Sequence, residues 1–150
     1  MDNIEELRPK TKALCKLLIE KCKEQGIDII ITQTLRSIEL QNAYYSQGRE
    51  SLSNVNTKRK SVGLEPIKES ENKIITKAKG GTSPHNYGLA FDVCPVKNGV
   101  AQWNDLNTFK KIGKISESIN VEGYTLEWGG TFKTILDLPH YQMKNWKNYK

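Results

Sequence analysis

The sequence predicts an α+β fold, a small antiparallel sheet packed with helices in one compact domain spanning residues 1–150. Three observations carry that prediction. Segments of helical period bracket the chain, the strand-like runs are short, and the two kinds are segregated rather than alternated as strand–helix–strand units. A chain of 150 residues, 37% hydrophobic and 27% charged, is large enough to bury one core without disulfide staples and too apolar for wholesale disorder.

From about Pro9 to Gln25 the pattern is an amphipathic helix. Pro9 suits its first turn, Leu14, Leu17, Leu18 and Cys22 recur at helical spacing, and Gly26 can close it. The β-branched run Ile27 to Thr32 predicts a strand. Ser37 can cap a second helix that runs to about Gln47 and ends at Gly48. Residues 49–72 are polar and aperiodic, which predicts a long functional loop or mobile insertion. Ile74-Ile75-Thr76 is a candidate short strand. Leu89 to Val93 predicts another, whose alternation sends Phe91 one way and Ala90 and Asp92 the other. Asn104 to about Ile119 reads as helix and Tyr124 to Trp128 as strand. Pro139 implies that any strand in residues 134–142 is an edge or is interrupted.

The net charge of +6 and pI of about 9.2 favour polyanions: nucleic acid, an anionic membrane, or the teichoic-acid-bearing bacterial wall. The densest basic cluster, Lys58-Arg59-Lys60, is short, and no arginine-rich arm or zinc-finger spacing accompanies it, so a nucleic-acid partner rests on charge alone. No run approaches the ~20 apolar residues that cross a bilayer, and the first residues carry three acids before the first base without an apolar signal core. A cytoplasmic start without membrane anchoring is the expectation. Cys15 and Cys22, seven apart on one helix face, lie about 10 Å apart at ~1.5 Å per residue, too far for a disulfide. They and Cys94 are expected to be buried thiols.

The chain has only two histidines, His85 and His140. Catalytic zinc sites commonly use three protein ligands drawn from imidazole and carboxylate, leaving one open position. Two histidines with Asp92 meet that count, because Asp92 is placed on a strand just after a glycine-bearing turn. A carboxylate buried among Ala90, Phe91 and Val93 is costly without a cation beside it. The bland alternative is two surface or capping histidines and an exposed aspartate.

The run from Ile74 to Asp92 resembles the SxHxxGxAxD signature of a family of zinc peptidases. These are the D-alanyl-D-alanine carboxypeptidases and dipeptidases and the L-alanyl-D-glutamate endopeptidases, many of them phage endolysins. Ser83, His85, Gly88, Ala90 and Asp92 fill every fixed position, and Asp137 stands three residues before His140 as the second element of that family requires. The runs Leu35-Arg36-Ser37 with Gln41, Tyr45, Gln47, Gly48 and Arg49, and Trp128-Gly129-Gly130, are also similar. The resemblance implies Zn2+ held by His85, Asp92 and His140, with Asp137 as general base and Arg36 polarising the scissile carbonyl or holding a substrate carboxylate. It further implies that Ser83 orients the ligand loop or the substrate and that Gln41 and Trp128 have substrate-side roles; a structural ion pair is the alternative for Arg36 and a core aromatic for Trp128. Many relatives have glutamate where this chain has Asp137, so either the geometry adjusts or Glu127 contributes instead.

The activity so implied is hydrolysis of the L-alanyl-D-glutamate bond of peptidoglycan by a phage or prophage endolysin. Such an enzyme would act as a monomer and stay in the cytoplasm until released to the wall. No separate cell-wall-binding domain is expected, since the residues after His140 are few. A D-alanyl-D-alanine carboxypeptidase or dipeptidase would use the same metal and base. A non-catalytic zinc-containing binding module is the reading from another class, and the acid at position 137 argues against it.

Overall fold

The computed structural model describes residues 3–150. Helix α1 (Pro9–Glu24) starts on Pro9, whose missing N–H costs nothing in a first turn, and it buries Leu14, Cys15, Leu18 and Cys22. Strand β1 (Asp28–Gln33) leads to helix α2 (Ile38–Ser46), capped by the Ser37 hydroxyl accepting from the Leu40 amide. Helix α3 (Leu52–Ser61) follows, then a long irregular stretch. Strand β2 (Ala90–Lys97) turns into the short β3 (Val100–Ala101), and helix α4 (Leu106–Ser116) leads to β4 (Leu126–Trp128) and β5 (His140–Met143).

The antiparallel sheet runs β1-β2-β5-β4, with β3 paired to β2. Period-two alternation divides its chemistry. Phe91 and Val93 of β2, with Tyr141 and Met143 of β5, join Leu14, Leu18 and Cys22 of α1 and Ile112 and Ile115 of α4 in the core. Asp92, His140 and Gln142 occupy the alternate positions. Register places Asp92 opposite His140 and Glu127 opposite Gln142, so secondary structure alone brings the polar residues together. All three cysteines are buried and free.

Three expectations need correction. Residues 49–72 are not one loop, because Ser51 caps α3, which fastens itself through the buried Val55. A single apolar anchor gives too little periodicity to be read in sequence. The ends of this excursion meet, with the Gly48 amide donating to Asn72 Oδ1 at 2.8 Å and Asn72 Nδ2 to the Glu50 carbonyl at 3.1 Å. Residues 74–76 do not pair as a strand, and Ile75 and Thr76 instead line a cleft. Finally, only the edge alternative for residues 134–142 fails, since β5 lies between β2 and β4; the strand begins only after Pro139, as an interruption there implies. Pro139 sits just before it, where no N–H is needed, and its carbonyl accepts from the Val93 amide at 2.9 Å.

Candidate metal centre

His85 projects from a 3-10 turn, Pro84–Tyr87, whose chemistry explains its sequence. The Ser83 hydroxyl accepts from the His85 amide at 3.3 Å, and Gly88 ends the turn at φ 70°, a left-handed conformation that favours glycine. Asn86 fastens the turn on two sides. Its Oδ1 accepts from the amides of Gly81 and Ser83, and its Nδ2 donates to the Arg36 carbonyl. Opposite, the β1–β2 register shifts between Ile31 and Gln33, a bulge beside Asp92. Just past the bulge, the Thr34 carbonyl accepts from His85 Nδ1 at 2.9 Å.

That hydrogen bond puts the imidazole proton of His85 on Nδ1, leaving a lone pair on Nε2. His140 is set the other way round. Its Nε2 lies 2.8 Å from Gln142 Oε1, and Gln142 Nε2 donates to Glu127 Oε1 at 3.3 Å. A carboxylate only accepts, so Glu127 turns the amide of Gln142 with its oxygen toward His140. The His140 proton then resides on Nε2 and the lone pair on Nδ1. His85 Nε2 and His140 Nδ1 face each other at 3.2 Å, and Asp92 Oδ1 stands 3.3 Å from the first and 3.2 Å from the second.

Three electron-pair donors thus converge with no proton assigned between them. One donor atom from each residue lies within 4.8 Å of the others, and all three side chains are largely withdrawn from water. Two nitrogens and one oxygen form a set that suits a tetrahedral zinc ion with one position open. The titration tendencies agree. Burial lowers the pKa of His85 despite Asp92. For His140 burial acts in the same sense, but the hydrogen bond and charge of Asp92 outweigh it and raise the pKa. Burial also opposes the Asp92 charge, yet its hydrogen bonds to the two histidines hold it well below the usual carboxylate range. Without a cation, a proton must take the cation's place.

The donors open on a cleft of about 200 Å³ whose walls include Arg36, Thr76, Phe132, Ile135 and Asp137. Arg36 donates to Gln41 Oε1 at 2.8 Å and to Gln33 Oε1, and its guanidinium lies 5.1 Å from the Tyr44 ring centroid. Those contacts fix the fork at the rim. Asp137 has one side open to solvent. Partial burial, and then the Asp92 charge, raise its pKa above the ordinary value. Its backbone is pinned on both sides, its amide donating to the Gly129 carbonyl at 3.0 Å and its carbonyl accepting from the His140 amide at 3.1 Å.

The structure therefore brings His85, Asp92, His140, Asp137, Arg36 and Ser83 to one cleft. It places two expected substrate contacts elsewhere. Gln41 is fully buried, bridging Arg36 to the Ala78 carbonyl, so it supports the cleft wall from behind. Trp128 is not among the cleft-lining residues; it props the Asp137 loop by donating to the Leu138 carbonyl at 2.8 Å. Glu127 lies behind His140 through Gln142 and not on the cleft wall. No sequence motif marks Gln142, although alternation from His140 puts it on the same face.

Comparison with known proteins gives a consistent result. A family model described as D-alanyl-D-alanine carboxypeptidase matches residues 76–143. The peptidoglycan L-alanyl-D-glutamate endopeptidase CwlK of Bacillus subtilis (strain 168) is 32% identical over 144 residues, 92% of this chain and 74% of that protein. The L-alanyl-D-glutamate peptidase of Listeria phage A118 is 24% identical over 98% of this chain and 41% of that protein. Among solved structures, the L-Ala D-Glu endopeptidase ChiX of Serratia marcescens superposes with a TM-score of 0.53 at 19% identity, covering 94% of this chain and 83% of that one. The LD-carboxypeptidase LdcB gives 0.57 at 18% identity, covering 99% and 66%. These last two likenesses show the fold alone.

Proposed function

The chain belongs to the peptidase family of the D-alanyl-D-alanine carboxypeptidases and L-alanyl-D-glutamate endopeptidases, and from that premise we propose that it is a zinc-dependent hydrolase of peptidoglycan stem peptide, cutting between L-alanine and D-glutamate. The observation that carries the metal dependence is the convergence of His85 Nε2, Asp92 Oδ1 and His140 Nδ1, with the other nitrogen of each ring engaged by a hydrogen bond. The choice of bond is supported by the likeness to CwlK and to the phage peptidase.

His85, Asp92 and His140 would hold the zinc ion, which would supply Lewis acidity toward the scissile carbonyl and the attacking water. The protein's own groups do the rest. Asp137, on the wall of the same cleft, accepts a proton from the attacking water and passes it to the departing amine of D-glutamate. Its raised pKa brings it nearer that amphoteric task than an ordinary surface carboxylate. Arg36, with its fork held by Gln33 and Gln41, presents fixed positive charge to the carbonyl oxygen or to the α-carboxylate of D-glutamate. Ser83 acts through the backbone, holding the turn that carries His85.

The test is digestion of purified walls by zinc-loaded protein, followed by mass spectrometry. New N-terminal D-glutamate is the expected product. Free D-alanine as the sole product would assign the carboxypeptidase activity instead. Zinc-replete protein that leaves walls intact would favour a binding module.

A further inference from the structure

Beside the cleft lies a second recess of about 200 Å³, lined by Trp103, Leu106, Phe109 and the segment Leu136 to Pro139. The two concavities share Asp137. The recess is walled by apolar side chains that the fold leaves bare: Trp103 is 50% exposed, Leu106 52% and Leu136 67%. Such a cluster in a water-soluble face marks a contact site more often than a packing accident. It is also stiff. The Trp103 ring stacks on the buried Phe109 at 6.3 Å and 28°, Asp105 caps the helix between them, and Trp128 ties down the Leu138 carbonyl.

We propose that this recess is a subsite for the N-acetylmuramic acid ring of the glycan strand, placed so that the sugar lies next to the bond addressed by Asp137. The inference rests on the peptidoglycan reading above. In peptidoglycan the L-alanine nitrogen is acylated by the lactyl group of muramic acid, so the pyranose ring begins two residue lengths, roughly 7 Å of chain, from the L-alanyl-D-glutamate bond. A subsite for it must therefore adjoin the catalytic carboxylate, as this recess does. Charge agrees with that occupant. The muramic carboxyl is consumed in the amide, so the ring is neutral, and among the described residues no lysine or arginine lines the recess. An anionic bilayer or teichoic acid would call for such cations. The C–H face of a pyranose and the methyl of its N-acetyl group match an indole flanked by leucines, whereas the stem peptide beyond L-alanine is acidic and amino-bearing.

The experiment compares two substrates: L-Ala-D-Glu-L-Lys carrying N-acetylmuramic acid on its amino end, and the same tripeptide carrying only an acetyl group. Wild-type protein, Trp103→Ala, Trp103→Phe and Leu136→Asn are loaded with zinc and checked for folding by circular dichroism. Trp103→Ala is expected to lower kcat/KM on the muramyl substrate about tenfold more than on the acetyl substrate, the worth of one stacked ring. Trp103→Phe should restore much of that difference, and Leu136→Asn should reproduce part of it. Equal losses on both substrates, or no loss, overturn the proposal. If Trp103→Ala does not fold, Leu136→Asn decides by the same ratio. If wild-type protein cleaves neither substrate, the peptidase reading fails separately. The subsite is then judged by titrating the zinc-loaded protein with the muramyl peptide: a shift of the Trp103 indole resonance that the acetyl peptide does not cause retains it, and no such shift removes it. A protein whose mass doubles with concentration, and reverts in Trp103→Ala, would assign the recess to self-association instead.

Discussion

Replacement of Gly129 by alanine is expected to separate catalysis from metal binding. Gly129 is buried, and a Cβ built on it would stand 2.2 Å from the Asp137 carbonyl oxygen and 3.0 Å from His140 Cβ, where ordinary contact begins near 3.4 Å. The Asp137 backbone must therefore retreat by about 1 Å, whereas His140 needs only a few tenths of an ångström. Their anchorage differs as well. His140 is paired in β5 opposite Asp92, while Asp137 lies outside the sheet and is held by two single hydrogen bonds, to Gly129 and from His140. The strain should fall on Asp137, and a displacement of that size at the proposed base should cost roughly 10²-fold in rate. Crowding should also cost about 1–3 kcal/mol of stability. The assay is kcat/KM on stem peptide with zinc quantified in the same sample. Gly26→Ala serves as control, since that position has φ 76° and nothing within 4 Å, so it strains the backbone far from the cleft. Wild-type turnover in folded Gly129→Ala, or an activity loss matched by loss of zinc, would refute the reasoning.

Other expectations follow from the same geometry. Gln142→Leu removes the acceptor that holds the His140 proton on Nε2, so zinc affinity, measured by competition with a chromophoric chelator, should fall about 10–100-fold. Gln142→Glu, which keeps the acceptor, should fall less. Asp137→Asn should retain zinc and lose about 10²–10⁴ in kcat, whereas Glu127→Gln should keep kcat within a few-fold, and the reverse pattern would make Glu127 the base. The folded-state pKa of Asp137 lies above its unfolded value of about 3.8, so ionising it costs stability at neutral pH and the cost vanishes as pH falls through the raised value. Urea titrations of the metal-free protein should accordingly show Asp137→Asn more stable than wild type at pH 7 and equal to it in acid.

How much of this was readable in advance divides along a physical line. The donor residues were legible because each is tied to a local pattern: a proline-led turn closed by Gly88, strand alternation fixing the side on which Asp92 lies, and an acid three residues ahead of His140. Burial of Gln41 was not, because α2 is polar enough that its inward face depends on what later covers it, and residues 76–78 do so. The partnership of Glu127 with Gln142 needed the pairing of β4 with β5, a register no local pattern reveals. Helix α3 leaves no signature in the sequence because it lacks apolar repetition. The Trp103 recess leaves none either, since it joins the start of α4 to a segment some thirty residues later.

The pairing of Asp92 with His140 across β2 and β5 has a consequence for the order of events during synthesis. His85 and Asp92 leave the ribosome together, and His140 follows 48 residues after Asp92. A nascent chain offers only two donors until its last strand closes against β2, and two donors hold zinc weakly. A metal ion bound through all three donors would therefore have to follow completion of the sheet.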